Sequence, residues 1–116
     1  MSKRDTILLL DDMLQAAWKI KRYTENQSYE SFLTDDKTID AVIRNFEIIG
    51  EAANRVDDEF KELYPQIEWN RIRGFRNRIV HEYFGVDYEI VWDIIETYLE
   101  NLIDWLETIL SENKAT

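Results

Sequence analysis

The chain has 116 residues, the length of one domain and enough to bury a core without staples. Its hydrophobic share of 45% and four tryptophans argue against disorder, and three glycines and one proline are too few for the turns of an all-β domain. The net charge of −10 argues against broad nucleic-acid binding, and the lack of cysteine excludes disulfides, thiolate metal sites and cysteine nucleophiles.

The first predicted element is a helix from about Asp5 to Thr24, where Ile7, Leu10, Leu14, Ala17 and Ile20 recur every three or four residues. The polar stretch "ENQSYESFLTDD" follows as a loop, with room for one short turn around Tyr29 to Leu33. A second helix starts at Asp35 or Asp36, either of which can cap it, and continues to about Val56. Its apolar stripe is Ile39, Val42, Phe46, Ile49, Ala53 and Val56. Gly50 lies inside this helix, where glycine costs about 1 kcal/mol against alanine, and it predicts close approach of a neighbouring backbone.

"DDEFKELYPQIEW" is a connection ended by Pro65, the chain's one proline. A third helix then runs from about Ile67 to Tyr83, with Ile72, Phe75 and Ile79 on its buried side and Gly85 at its C-cap. Asp87 caps a fourth helix that continues to about Ser111. Val91, Ile94, Tyr98, Leu102, Trp105 and Ile109 form its stripe, widened by Ile95 and Leu106. The terminal "SENKAT" reads as a frayed tail.

Four amphipathic helices with short connections predict an all-α, antiparallel four-helix-type bundle over residues 1–116. Ile90, Trp92, Leu99 and Ile103 flank the fourth stripe, more apolar surface than three neighbouring helices need to cover, and a homodimer would bury the surplus. The N-terminus turns charged after four apolar residues, unlike a signal peptide, and no apolar run reaches the roughly 20 residues of a membrane span. The expectation is a cytoplasmic protein that does not enter the membrane.

Charge is unevenly placed. Residues 1–70 carry −6 and residues 82–116 carry −8, but residues 71–81 carry +4 from Arg71, Arg73, Arg76 and Arg78. This run ends at His81, the chain's one histidine. A single histidine without cysteine argues against a structural zinc site, while the 24 acids leave a carboxylate-held Mg²⁺ open; the predicted site itself takes no metal and no cofactor. On a helix His81 shares a face with Asn77 and Arg78, whereas Arg76 lies about 140° away around the axis. Arg76 and His81 can meet at one phosphate if the helix distorts near its end, or if a second copy packs alongside.

These residue types suit metal-free RNA cleavage, in which the 2′-OH attacks the adjacent phosphate. That reaction needs a base, an acid and positive charge on the phosphorane-like transition state. Histidine serves proton transfer near pH 7 and arginine holds the developing charge. Taken alone, composition also allows phosphate binding without catalysis, or a purely structural role in which a helix-end histidine caps and the arginines pair with acids.

"RNRIVHEY" has the form Arg-polar-x3-His-x-Tyr. It resembles the signature of the HEPN superfamily in the version carried by HepT-like ribonuclease toxins. "DAVIRNFEIIGEAANRV" is similar to the family's second helix, "IEWNRIRGFRNRIVHEYFGVDYEIVWDII" to its third helix, turn and fourth helix, and "LLLDDMLQAAWKIKRYT" to its first. The resemblance implies an all-α bundle that dimerises around a shared cleft. It implies metal-independent endoribonuclease activity carried by Arg76 and His81, with Asn77 supporting them. It also implies a partner, a minimal nucleotidyltransferase antitoxin that attaches AMP to Tyr83 and silences the toxin. Other HEPN domains bind a nucleotide or such a partner without cutting RNA, and that alternative stays open here.

Arg73 and Arg78 either guide RNA along the cleft or pair with acids of the fourth helix. Glu51 and Arg44 could reach the cleft, and a solvated helix face is the plainer reading of both. The tryptophans Trp18, Trp69, Trp92 and Trp105 read as packing residues for the core or the dimer.

Overall fold

The computed structural model describes residues 1–81 and 86–114, with His81 and Lys114 as backbone alone. The described residues are helical: α1 (Lys3–Thr24), α2 (Tyr29–Leu33), α3 (Asp36–Arg55), α4 (Asp58–Leu63), α5 (Trp69–His81), α6 (Tyr88–Thr97) and α7 (Leu99–Lys114). Among them no helix is long and apolar enough to cross a membrane.

Polar side chains set where the helices begin. Ser2 starts α1 with a capping box, its hydroxyl accepting from the Asp5 N–H while Asp5 accepts from the Ser2 N–H. Ser28 and Ser31 do the same for α2, the short turn foreseen in the polar loop. Of the two aspartates that could cap α3, Asp35 does so. It accepts from the Thr38 N–H at 3.1 Å, the Thr38 hydroxyl at 2.6 Å and the Gln27 amide at 3.0 Å. These donors hold its carboxyl below the usual aspartate range, the Thr38 hydroxyl foremost.

The core lies where α1 packs against α3 on one side and α7 on the other. Leu10, Met13, Ala17 and Ile20 of α1 meet Val42 and Ile49 of α3 and Leu106 and Ile109 of α7 in one buried cluster. The whole predicted stripe of α3 is buried, from Ile39 to Val56. Fully burying aliphatic side chains of this size contributes about 1.5–3 kcal/mol each, so this three-helix layer holds most of the stability. Phe32 of α2 is buried as well and tilts against Trp92 of α6 at 5.1 Å, which ties the short helix to the C-terminal pair.

Two differences from the sequence reading stand out. The connection before Pro65 contains α4, capped by Asp57, with no buried residue of its own. And the predicted fourth helix is two: Tyr98 leaves helical geometry (φ −123°, ψ −33°) between α6 and α7. Tyr98 is held from both sides there, its hydroxyl accepting from the Glu68 N–H at 3.3 Å and its ring edge-on to Trp105 at 5.8 Å. Burial pushes its phenol above the usual tyrosine range.

The bend also changes the account of surplus apolar surface. Leu99 and Ile103 are buried within the chain, and Trp92 is half-buried on Phe32. Of the four flanking residues that suggested a second copy, Ile90 alone is exposed. The chain itself therefore covers most of the area that pointed to a dimer. The tryptophans divide similarly: Trp69 is buried, Trp92 and Trp105 are half-buried, and Trp18 is exposed with the Lys21 ammonium 5.1 Å from its ring centre.

Candidate active site

The arginine run lies on α5, and α5 packs chiefly on α3. Three contacts fix it there. Phe75 sits edge-on to Phe46 at 5.3 Å. Ile79 is fully buried. Gly50 faces Arg76 so closely that a methyl group in its place would overlap the arginine's Cβ and Cγ and stand 3.5 Å from its Cα. Gly50 thus marks the close helix approach expected from its place inside a helix, and the residue it admits is Arg76.

The Arg76 side chain leaves this contact with its guanidinium held on two sides. Nη2 donates to Glu51 Oε1 at 2.7 Å, and Nη1 donates to Asn77 Oδ1 at 3.1 Å. Nε is buried without an acceptor among the described residues. The stem is therefore enclosed and the terminal nitrogens lie at the surface; the Arg76 side chain is 24% exposed and that of Glu51 55%. The short distance to Glu51 is that of a charge-assisted hydrogen bond.

The other arginines divide by role. Arg71 donates twice to Glu68, at 2.9 and 3.1 Å, a local pair at the start of α5. Arg73 is exposed and makes no ion pair among the described residues, in particular none with an acid of α6 or α7. Arg78 is exposed and lines a groove of about 440 Å³ between α5 and the α6–α7 pair. Phe46, Ile72, Phe75, Ile94 and Leu102 give the groove its apolar wall, with Arg71, Glu68 and Asp93 among its charged lining. Arg44 pairs with Glu47 one turn along α3, on the solvated face foreseen for it.

Residues 69 to 81 form one uninterrupted α-helix. Position 81 is five residues after Arg76, about 140° around the axis, so no distortion within this helix turns the two positions toward each other. Arg76 faces α3, whereas position 81 follows Gly74, Asn77 and Arg78 in register along another face. Of the two routes to a joint site, distortion of the helix is absent over residues 69–81. Tyr83 and Gly85 lie outside the described residues.

Glu51, for which a solvated helix face was the plainer reading of the sequence, instead reaches Arg76, 25 positions away. Its neighbour Gly50 carried the available signal, since a glycine that admits another helix also brings the adjacent side chain to that helix.

The sequence matches the ribonuclease HepT-like family over residues 13–109. Among curated proteins, "Putative RNase MJ0127" of Methanocaldococcus jannaschii is 38% identical over 112 residues, covering 97% of this chain and 93% of that protein. "Probable ribonuclease HepT" of Thermococcus cleftensis is 39% identical over 93 residues, covering 80% and 84%. No solved structure gives a significant match.

Proposed function

This chain belongs to the ribonuclease HepT-like family, and we propose that it is a metal-independent endoribonuclease, the toxin of a toxin–antitoxin pair, acting as a homodimer. Arg76 and His81 carry the reaction and Asn77 supports them. The observation that bears most on this reading is the Arg76 guanidinium. It is braced by Glu51 and Asn77, and its terminal nitrogens lie at the surface of the one basic stretch in an acidic chain.

In the proposed reaction the substrate's 2′-oxygen forms a bond to the adjacent phosphorus as the bond from phosphorus to the 5′-oxygen breaks. One His81 takes the proton from the 2′-OH, and a second group, the partner copy's histidine, gives a proton to the leaving 5′-oxygen. Arg76 holds the charge that develops on the phosphoryl oxygens. The register of α5 favours a two-chain site: one chain's Arg76 and His81 diverge, and a facing copy supplies the missing angle. Exposed Arg73 and Arg78 would guide the RNA backbone to this cleft.

Tyr83, two residues past His81, is the proposed acceptor of AMP from a cognate minimal nucleotidyltransferase. The modification adds a phosphate's charge and a nucleotide's bulk, and so keeps an RNA phosphate away by repulsion and volume.

Cleavage of RNA by the purified protein in EDTA tests the reading. The wild type should cut, and His81→Ala should lose about 10²- to 10⁴-fold, the usual contribution of a positioned acid–base group. A folded wild type that cuts no RNA would shift the reading to a HEPN module that binds a nucleotide or its partner without catalysis. Co-expression with the nucleotidyltransferase should add the mass of AMP to the peptide bearing Tyr83; the same mass on another residue refutes that assignment.

A further inference from the structure

We propose that Glu51 is a positioning residue for the ribonuclease site, fixing the direction of the Arg76 guanidinium from the neighbouring helix. The proposal rests on the reading above that Arg76 meets the scissile phosphate, and it adds a residue from outside the motif. A guanidinium has five N–H groups. In Arg76 the Nε–H is buried, one N–H of Nη2 is given to Glu51 and one of Nη1 to Asn77. One N–H on each terminal nitrogen is left, the number that a bidentate phosphate contact uses. The buried Nε–H closes the side-on approach, so a phosphate must come to the end of the fork.

Three features make Glu51 the member that sets this direction. Gly50, one residue before it, brings the Arg76 stem against α3, so the carboxylate meets the guanidinium without spanning a gap. The 2.7 Å contact is the shorter of the two that hold the fork. And Asn77 moves with Arg76, because both belong to α5, whereas Glu51 references the fork to α3 and the core behind it. An exposed ion pair contributes little to stability, so the expected role is aim. The carboxylate also repels a phosphate at the same fork. Losing Glu51 should therefore lower kcat while leaving KM unchanged or reduced.

Glu51→Ala and Glu51→Gln, assayed on one RNA in EDTA beside the wild type, test this. Glutamine keeps an acceptor oxygen at the same reach; alanine keeps none. The expected result is at least a tenfold loss of kcat in Glu51→Ala, no rise in KM, recovery to within about threefold of wild type in Glu51→Gln, and unchanged thermal melting in both. Equal cleavage by wild type and Glu51→Ala overturns the proposal alone. Equal losses in both variants, or a loss that tracks a lowered melting temperature, also overturn it, because a structural role predicts that pattern. A wild type that cuts no RNA overturns the ribonuclease reading and this proposal with it.

Discussion

The layer of α1, α3 and α7 and the motif helix α5 are built on opposite plans. In the layer the apolar residues recur on every turn, and Leu10, Met13, Ala17, Ile20, Val42 and Leu106 are fully buried. In α5 only Trp69 and Ile79 are buried among the described side chains, with Ile72, Phe75 and Arg76 partly so. The layer is held by area, which is insensitive to any one direction. The motif helix is held by a few particular contacts: an edge-on aromatic pair, one glycine and one carboxylate. Stability and the proposed chemistry are thus placed on different helices, and α3 is the helix they share.

Substitutions can pull the two apart. Leu106→Ala, in the middle of the layer, should lower stability by about 2–5 kcal/mol through lost burial and the cavity left behind. Below its lowered melting point the variant should cleave RNA at nearly the wild-type rate, because Leu106 belongs to α7, whereas the Arg76 guanidinium is held by Glu51 of α3 and Asn77 of α5. Chemical denaturation and a cleavage assay on the same sample measure both. A cleavage defect matching the stability loss would mean that the layer and the site are not separable.

Gly50→Ala attacks the shared surface. The added methyl group overlaps the Arg76 stem, so α5 must shift or the side chain must swing. Overpacking of this kind costs about 1–3 kcal/mol, less than the loss at Leu106. Its effect on cleavage should nonetheless be the larger of the two, since the displaced atoms belong to the proposed phosphate-binding arginine. Gly74 is the control. A methyl group there would meet nothing within 4 Å, so Gly74→Ala should leave stability unharmed or slightly raised, as expected for an exposed helical glycine.

These contrasts mark what could be read from the sequence. Helical periodicity located the layer, because burial over many residues leaves a repeated signal; every residue predicted for the α3 stripe is buried. Gly50 was legible because a glycine inside a helix lacks a local reason. The angle between Arg76 and His81 followed from helix geometry alone. What escaped had short or distant causes. α4 spans six residues and buries none, so it leaves no periodic trace. The bend at Tyr98 depends on the backbone N–H of Glu68, 30 positions away. Glu51 was named as able to reach the cleft, but its contact with Arg76 depends on which helix packs over Gly50, and a single sequence does not state that.

Smaller effects belong to the ends of α3. Asp35 caps its start through the Thr38 hydroxyl and N–H and the Gln27 amide, which stabilise the ionised carboxyl and lower its pKa. A depressed folded-state value means that the stabilisation is fully present above the unfolded aspartate range, about 3.9, and is lost as pH falls through the folded value. Asp35→Ala should therefore melt below wild type at pH 7, and the gap should close as pH falls below about 4. Asp35→Asn, still a good cap, should retain most of the melting temperature at pH 7 and lose the pH dependence. A gap that stays constant down to pH 2 would sink the assignment.

The smallest expected effect tests the comparison most directly. In the layer and at the motif helix alike, an ion pair among the described residues crosses between helices. Lys21 of α1 meets Glu100 of α7 at 3.1 Å, and Arg76 of α5 meets Glu51 of α3 at 2.7 Å. Both are solvent-facing, with the acid more exposed in each, at 78% and 55%. Exposed pairs of this sort contribute about 0–1 kcal/mol, so Glu100→Ala and Glu51→Ala should be hard to distinguish by melting. Their cleavage should differ by at least tenfold. The Lys21 pair fastens two helices that burial already holds together, so its geometry decides nothing further. The Glu51 pair gives a direction to a charged group on a helix with little else to direct it. Equal cleavage by the two variants would mean that the contact with α3 leaves the aim of Arg76 to α5 itself.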